Sequence, residues 1–325
     1  MKEKMNEKMK EKMRSKRWGV FNHYICTPGR DRHYGGVDLS DWNKTVDSFD
    51  VEKLAHTLYE IGAGYYFITL NHGSEYILAP NEAYERFLQV QKGELCSHRD
   101  LIDDIYHALS KYDIDLCLYF NCLSPFNYCY GDKYRSLLGI KLNEKPEVQR
   151  DVLTINDGEA FIKNWVDVLH EYAERYREKV KMWWLDSCYQ RSGYTPELLK
   201  KYHDAIKSAN PNALIAYNSG LLNSDSQLEK YMDFEDFTCG EKIGLDYVPQ
   251  CGDIQGSLAH LLIPIGCSNP EFFGPWCGAG TKYANADIKN YVRRVNDVGG
   301  IVTFDVRVLP DGSFDPSHIE ALRGI

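Results

Sequence analysis

The stretch Lys181-Met182-Trp183-Trp184-Leu185-Asp186 constrains this chain more than any other. It is an apolar, aromatic run that ends abruptly in a carboxylate. A run of that length, following a long amphipathic segment, reads as a buried strand of a parallel sheet. An acid at the carboxyl end of such a strand lies where α/β barrels and open α/β sheets place their chemistry. Both Trp rings are expected to shield Asp186 on one side, with a cleft on the other.

From Trp18 onward, strand and helix patterns alternate. Strands are predicted over 18–23, 65–70, 115–121, 181–186, 213–218 and 301–306. Helices are predicted over 50–62, 100–112, 158–179, 195–209 and 285–298. Asp50 and Thr195 stand at cap positions, and Pro196 follows in the first turn. Gly299-Gly300 stops the last of these helices. Residues 222–280 show no clear period. Alternating units of this kind imply a parallel sheet. About eight strands over roughly 250 residues favour a closed (β/α)8 TIM-type barrel, one domain over 18–325. No Gly-rich phosphate fingerprint follows the first strand, which disfavours a dinucleotide fold. Residues 1–17 are almost all Met, Lys, Glu, Asn and Arg, and read as a solvated, frayed tail. The alternative is a small association helix using the stripe Met5, Met9 and Met13.

The charge balance excludes some partners. A formal net charge of −9 over 325 residues argues against nucleic acid and against an anionic membrane surface. No apolar run approaches the ~18 residues of a spanning helix. No secretory leader pattern opens the chain, so a cytoplasmic location is expected. The ten cysteines include no CxxC pair, and Cys117, Cys188 and Cys267 fall in apparent strands and helices. They read as reduced, buried, small hydrophobes. Neither Cys nor His spacing supports a zinc site, and no metal is expected.

The predicted strands end in polar residues. The first ends at Asn22-His23-Tyr24, the second at Asn71-His72 with Glu75 and Tyr76 beyond, and the third at Tyr119-Phe120-Asn121. The fourth ends at Trp184-Leu185-Asp186, the fifth at Tyr217-Asn218-Ser219, and the last carries Asp305. A ring of His, Asn, Asp, Tyr and Trp matches a neutral polyhydroxylated ligand, because hydroxyls want mixed donors and acceptors and apolar sugar faces want aromatic rings. A phosphorylated ligand would want Arg, Lys and Gly-rich amides instead. Each residue also has a plainer explanation: a lone His at a strand end is often structural, and Asp186 would serve as a helix cap or salt-bridge partner.

Four segments resemble the catalytic barrel of the α-L-fucosidases of glycoside hydrolase family 29. Residues 49–72, with Gly62-Ala63-Gly64-Tyr65 and Thr69-Leu70-Asn71-His72, resemble the family's AGAKY and T-KHHDGF region. Trp184-Leu185-Asp186 resembles the Trp-x-Asp that holds the family's nucleophile. Asp236-Phe237-Thr238-Cys239-Gly240-Glu241 resembles the segment whose Glu is the acid/base in some members. Residues 298–306, with Pro310-Asp311-Gly312, resemble the family's closing segment. The resemblance implies a retaining exo-glycosidase acting on a small oligosaccharide or glycoside without a cofactor. Asp186 would be the nucleophile and Glu241 the acid/base, with His23, His72, Asn71, Tyr119 and Asn218 around the sugar and Trp184 as a wall. Asp233, Glu235 and Asp236 crowd the same stretch as Glu241, and Glu75 is a further acid at the cleft rim.

The departures from the family are specific. The paired His becomes His72-Gly73, and the Lys before it becomes Asn71. The Asn-Asp-Arg after the fifth strand becomes Asn218-Ser219-Gly220, and the closing Asn becomes Asp305. Trp42, beside Asp41, is expected to replace another sugar contact. The β-sandwich that commonly follows is not expected within these 325 residues. Two other readings stand beside the first: a same-fold glycosidase for a different sugar, and a non-catalytic carbohydrate-binding barrel.

Overall fold

The structure is a computed structural model that describes residues 2–25, 42–72, 75–124, 159–223, 225–267 and 274–325. Residues 26–41, 73–74 and 125–158, which follow the first three strands, lie outside the described residues, and Asp41 and Gly73 with them. The strands are β1 (Trp18–Asn22), β2 (Tyr65–Thr69), β3 (Asp115–Asn121), β4 (Val180–Asp186) and β5 (Leu214–Tyr217). They continue with β6 (Asp253–Ile254), β7 (Ser257–Leu258), β8 (His260–Pro264) and β9 (Ile301–Asp305). Seven form one parallel sheet in the order β5-β4-β3-β2-β1-β9-β8, and β6 and β7 pair apart as a short antiparallel ribbon. The helices are α1 (Lys2–Lys16), α2 (Trp42–Asp47), α3 (Val51–Ile61), α4 (Glu82–Leu88) and α5 (Leu101–Ser110). After them come α6 (Glu159–Tyr176), α7 (Pro196–Ala209), α8 (Asn285–Asp297) and α9 (Pro316–Leu322). None of the described helices is long and apolar enough to cross a membrane.

The expected caps are in place. Asp50 accepts from the Lys53 amide at 3.0 Å, and Thr195 accepts from the Leu198 amide at 3.4 Å. Gly62 ends α3 at φ 82°, a conformation that glycine adopts without a Cβ penalty.

Residues of alternating parity on each strand face two separate cores. The inner one, enclosed by the sheet, takes Phe21, Phe67, Cys117, Tyr119, Met182 and Trp184. The outer one, between sheet and helices, takes Val20, Ile68, Leu118, Trp183 and Leu185. Trp183 and Trp184 therefore do not shield Asp186 together, as the sequence led us to expect. A strand sends successive side chains to opposite faces, so only Trp184 lies on the Asp186 face.

Among the described residues the regular sheet is an arc of seven strands, where a closed barrel ladder has eight. The gap between β5 and β8 is occupied by the irregular segment 235–242. The amides of Thr238 and Lys242 donate to Leu258 and Leu262, and the Asp236 amide donates to Ile215 at 2.9 Å. On the β5 side much of the pairing is made by side chains. The Glu235 carboxylate accepts from the Tyr217 amide at 3.3 Å, and the Asp236 carboxylate accepts from the Ile215 amide at 3.1 Å. Carboxylates standing in for carbonyls break the period-2 pattern, so this region could not be parsed from the sequence.

The tail expected to be solvated is instead α1, packed under the amino ends of the strands. Met13 is fully buried in the inner core, and Met9 packs against it. The basic residues dock on oxygens: Lys10 on Gly256 O at 2.5 Å, Lys12 on Asp115 at 2.6 Å and Arg14 on Gly299 O at 3.2 Å. One buried methionine and a set of charge-assisted bonds hold this helix, so the sequence shows no wide apolar stripe. Met13→Ala is expected to lower stability by about 2–5 kcal/mol in denaturant unfolding, and Met9→Ala by much less.

Candidate active site

At the carboxyl end of the arc, the inward parity carries polar groups above the inner core. Asn121 and Asp186 are register partners at the ends of β3 and β4. Asp186 is 9% exposed. Its Oδ2 accepts from the Tyr119 hydroxyl and from Asn121 Nδ2 at 3.3 Å. Its Oδ1 accepts from Asn218 Nδ2 at 2.8 Å. The chain then turns at Ser187, whose φ of 60° lies in the left-handed region that non-glycine residues seldom adopt.

Asn218 also reaches the second acid. The same Nδ2 donates to Glu241 Oε2 at 2.7 Å, so one amide bridges the two carboxylates. The two oxygens lie no farther apart than those two bonds laid end to end. The Gly220 amide donates to Asn218 Oδ1 at 3.0 Å, which fixes the side chain with its NH2 toward the acids. Glu241 is placed by Gly240, at φ 59°, where a Cβ would collide with the His260 carbonyl oxygen.

Of the four crowded acids, Glu241 is the one joined to Asp186 through Asn218. Glu235 is spent on the amides of Tyr217 and Tyr231, and Asp236 on Ile215 and on Lys207 at 2.8 Å. Asp233 is exposed. Burial, and then the negative charge of Asp186, push the Glu241 carboxyl up to about 7. Asp186 and burial likewise keep the Tyr189 phenol well above its ordinary range.

The remaining expected residues divide. Tyr119 stacks on Trp184 with ring centroids 5.4 Å apart, and His72 stacks on Tyr119 at 5.6 Å. Trp184 is thus the layer beneath Tyr119 and no wall of the cavity; it is 2% exposed and donates to Cys239 O at 3.3 Å. His23 lies edge-on to His72 at 5.5 Å and is bonded through Nδ1 to Asp305 Oδ1 at 2.7 Å. Burial opposes charge on His23, but Cys277 and Asp305 outweigh it and raise its proton affinity. Asn71 is not at the sugar position: both ends of its amide bond the Asn121 backbone, at 3.1 and 2.9 Å. Trp42 is 5% exposed and packs between Tyr24 and Tyr76 in the outer core, so it makes no wall of this site. No described contact joins Glu75 to either acid; burial raises its carboxyl.

Four residues at the site were given no role from the sequence. Asn121 orients Asp186, Tyr189 lies in the field of both acids, and Trp276 lies 6.0 Å from the His23 ring. Cys277 completes a cluster with His23 and Asp305 whose donor types suit a metal ion. Only Asn121 was readable, as the last residue of a predicted strand.

A parallel α/β arc whose strand ends hold a bridged pair of carboxylates above stacked aromatic rings is the architecture of a barrel-type glycoside hydrolase. The sequence profile described as Alpha-L-fucosidase matches residues 1–251, and the chain belongs to that family. No curated protein matches the sequence. Solved structures share the fold at low identity. The endo-fucoidan hydrolase MfFcnA4 of glycoside hydrolase family 107 is 14% identical with a TM-score of 0.66, over 95% of this chain and 52% of its own. A variant of the α-L-fucosidase AlfC in complex with Fuca(1,6)GlcNAc is 15% identical with a TM-score of 0.61, over 97% of this chain and 95% of its own. An α-L-fucosidase of family 29 from Bacteroides thetaiotaomicron is 19% identical with a TM-score of 0.60, over 97% and 72%. The chain spans about half the length of MfFcnA4.

The two most deeply buried of the raised carboxyls give a stability prediction. Burial pushes Glu235 up to about 8 and Glu241 up to about 7, from an ordinary 4.5. Between these values the folded state holds protons that the unfolded chain has already released, so stability falls as pH rises. The buried His260, lowered to about 4, works the opposite way only below its ordinary 6.5. From about pH 6.5 to 8, the thermal midpoint is therefore expected to drop, and to drop less in Glu241→Gln.

Proposed function

We propose that the protein is a retaining exo-glycosidase that cleaves α-L-fucosides or a close relative by double displacement. The observation that carries the proposal is the Asn218 amide shared by Asp186 and Glu241. Retaining enzymes hold their carboxyl groups roughly 5–5.5 Å apart, a spacing compatible with one bridging nitrogen. Asp186 attacks the anomeric carbon, and Glu241 protonates the departing oxygen. The three donors on Asp186 match the acceptor-only character of a carboxylate and hold it in one orientation.

Electrostatics supports the exchange of roles. The charge on Asp186 helps keep Glu241 protonated in the resting enzyme. Once Asp186 is esterified, that charge is gone and the proton affinity of Glu241 falls. Glu241 then suits removal of a proton from the incoming water. His23, anchored by Asp305, and His72 hold sugar hydroxyls, while the partly exposed Trp276 beside His23 offers an apolar face. A same-fold enzyme for a different sugar is the second reading, favoured by Gly220 where the family carries an Arg.

The test is hydrolysis of a panel of 4-nitrophenyl glycosides, α-L-fucoside included. Asp186→Ala should lose at least ~10³-fold in kcat/KM on the sugar that wild type cleaves. A folded Asp186→Ala that keeps its rate would refute the nucleophile. No turnover of any glycoside by folded wild type would favour a carbohydrate-binding barrel. The kcat/KM profile should fall above pH 7, where Glu241 loses its proton, and Glu241→Gln should abolish that limb.

A further inference from the structure

Cys277, His23 and Asp305 are far apart in the chain, and no short motif joins them. The fold brings them together beside the bridged acids. Asp305 ends β9 and is the register partner of Phe21 on β1, so His23 follows just above it. Cys277 comes from the loop after β8, and its amide donates to Asp305 Oδ2 at 2.9 Å. The Cys277 thiol lies within hydrogen-bonding reach of the His23 imidazole. One nitrogen, one sulfur and one carboxylate oxygen all lie within 4.8 Å of one another.

We propose that His23, Cys277 and Asp305 form a site for a divalent cation of the zinc class, and that its occupancy silences the hydrolase. The donor set selects the ion. Zinc takes imidazole, thiolate and carboxylate together in tetrahedral geometry, whereas calcium and magnesium call for oxygen ligands. Metal–ligand bonds of about 2.0–2.3 Å put tetrahedral ligands roughly 3.3–3.7 Å apart. The His23–Asp305 pair at 2.7 Å is tighter than that, and the cluster's outer limit of 4.8 Å is looser. Small side-chain movements close the difference, and the cation displaces two protons to solvent, the one that His23 and Asp305 share and the one on the Cys277 thiol. Three protein ligands leave the fourth position to water or a sugar hydroxyl. Asp305 is buried and rigid on its strand, while His23 and Cys277 are partly exposed, so an ion can enter.

The cluster also lies close enough to Glu241 that His23 and Asp305 both act on its proton affinity. A divalent charge there drives the proton off Glu241 and ties up His23. The inhibitory half of the proposal rests on the function proposed above; the binding half does not.

The test uses the full chain and Co2+ as a spectroscopic stand-in for zinc. Wild type should show a thiolate-to-cobalt charge-transfer band that saturates at one equivalent and is bleached by Zn2+. Cys277→Ser should lose the band, and Asp305→Asn should weaken binding at least tenfold. No band in folded wild type, or a band that survives in Cys277→Ser through the exposed Cys251 or Cys267, overturns the site. Alkylation of wild type read by mass spectrometry needs no variant: Zn2+ should protect Cys277, and equal labelling with and without Zn2+ refutes the proposal. Stoichiometric binding with undiminished glycoside hydrolysis would overturn the inhibitory half and leave the hydrolase reading intact.

Discussion

The two-residue repeat of the parallel strands is the constraint on which the site depends. Each strand puts every second side chain inside the arc, and the polar groups are the next inward positions above the inner core. Tyr119 leads to Asn121, Trp184 to Asp186, Ala216 to Asn218 and Phe21 to His23. A one-residue slip of β4 would turn Asp186 toward the helices and bring Leu185 to its place. The aromatic layer beneath the acids is thus what sets their height and direction.

Two acids so close would repel if both were ionised. The structure separates them by environment. Asp186 receives hydroxyl and amide donors from β3 and from the end of β5, whereas Glu241 has burial, one shared amide and a negative neighbour. Burial and that negative neighbour push the Glu241 carboxyl up to about 7. Asn218 contributes twice, because its Oδ1 is held by Gly220 while its Nδ2 spans the pair. Glycine at 220 removes a family Arg, and here its amide orients the bridge.

Much of this was legible in the sequence, and the exceptions have physical causes. Strands with a strong apolar run or alternation, such as 115–121 and 181–186, were readable to within a residue, and the caps at Asp50 and Thr195 were where their side chains placed them. Asp186 was singled out as the acid that closes the apolar run 181–186, whereas Glu241 was singled out from its neighbouring acids only through the family resemblance of 236–241. Helix α1 was not, because polar docking and a single buried Met13 leave no wide apolar face. Segment 235–242 was not, because Glu235 and Asp236 replace backbone partners with side chains. Asn71 grips backbone where a sugar contact was expected, because strand-end position alone does not tell a side chain that grips backbone from one that meets a ligand; Trp42, expected to replace a family contact, packs in the outer core. Cys277 had no local signal at all, since its neighbours come from β1 and β9.

The seam between β5 and β8 bears on how such a site can change over evolutionary time. Asp186 ends a strand laddered on both sides, so moving it would dismantle the register of β3, β4 and β5 together. Glu241 belongs to an irregular segment that meets β8 through isolated bridges, one of them Glu241 with Leu262, and meets β5 largely through the Glu235 and Asp236 side chains, so no continuous ladder runs through it. A residue at the position of Glu241 can therefore shift along this seam at less structural cost than one at the position of Asp186.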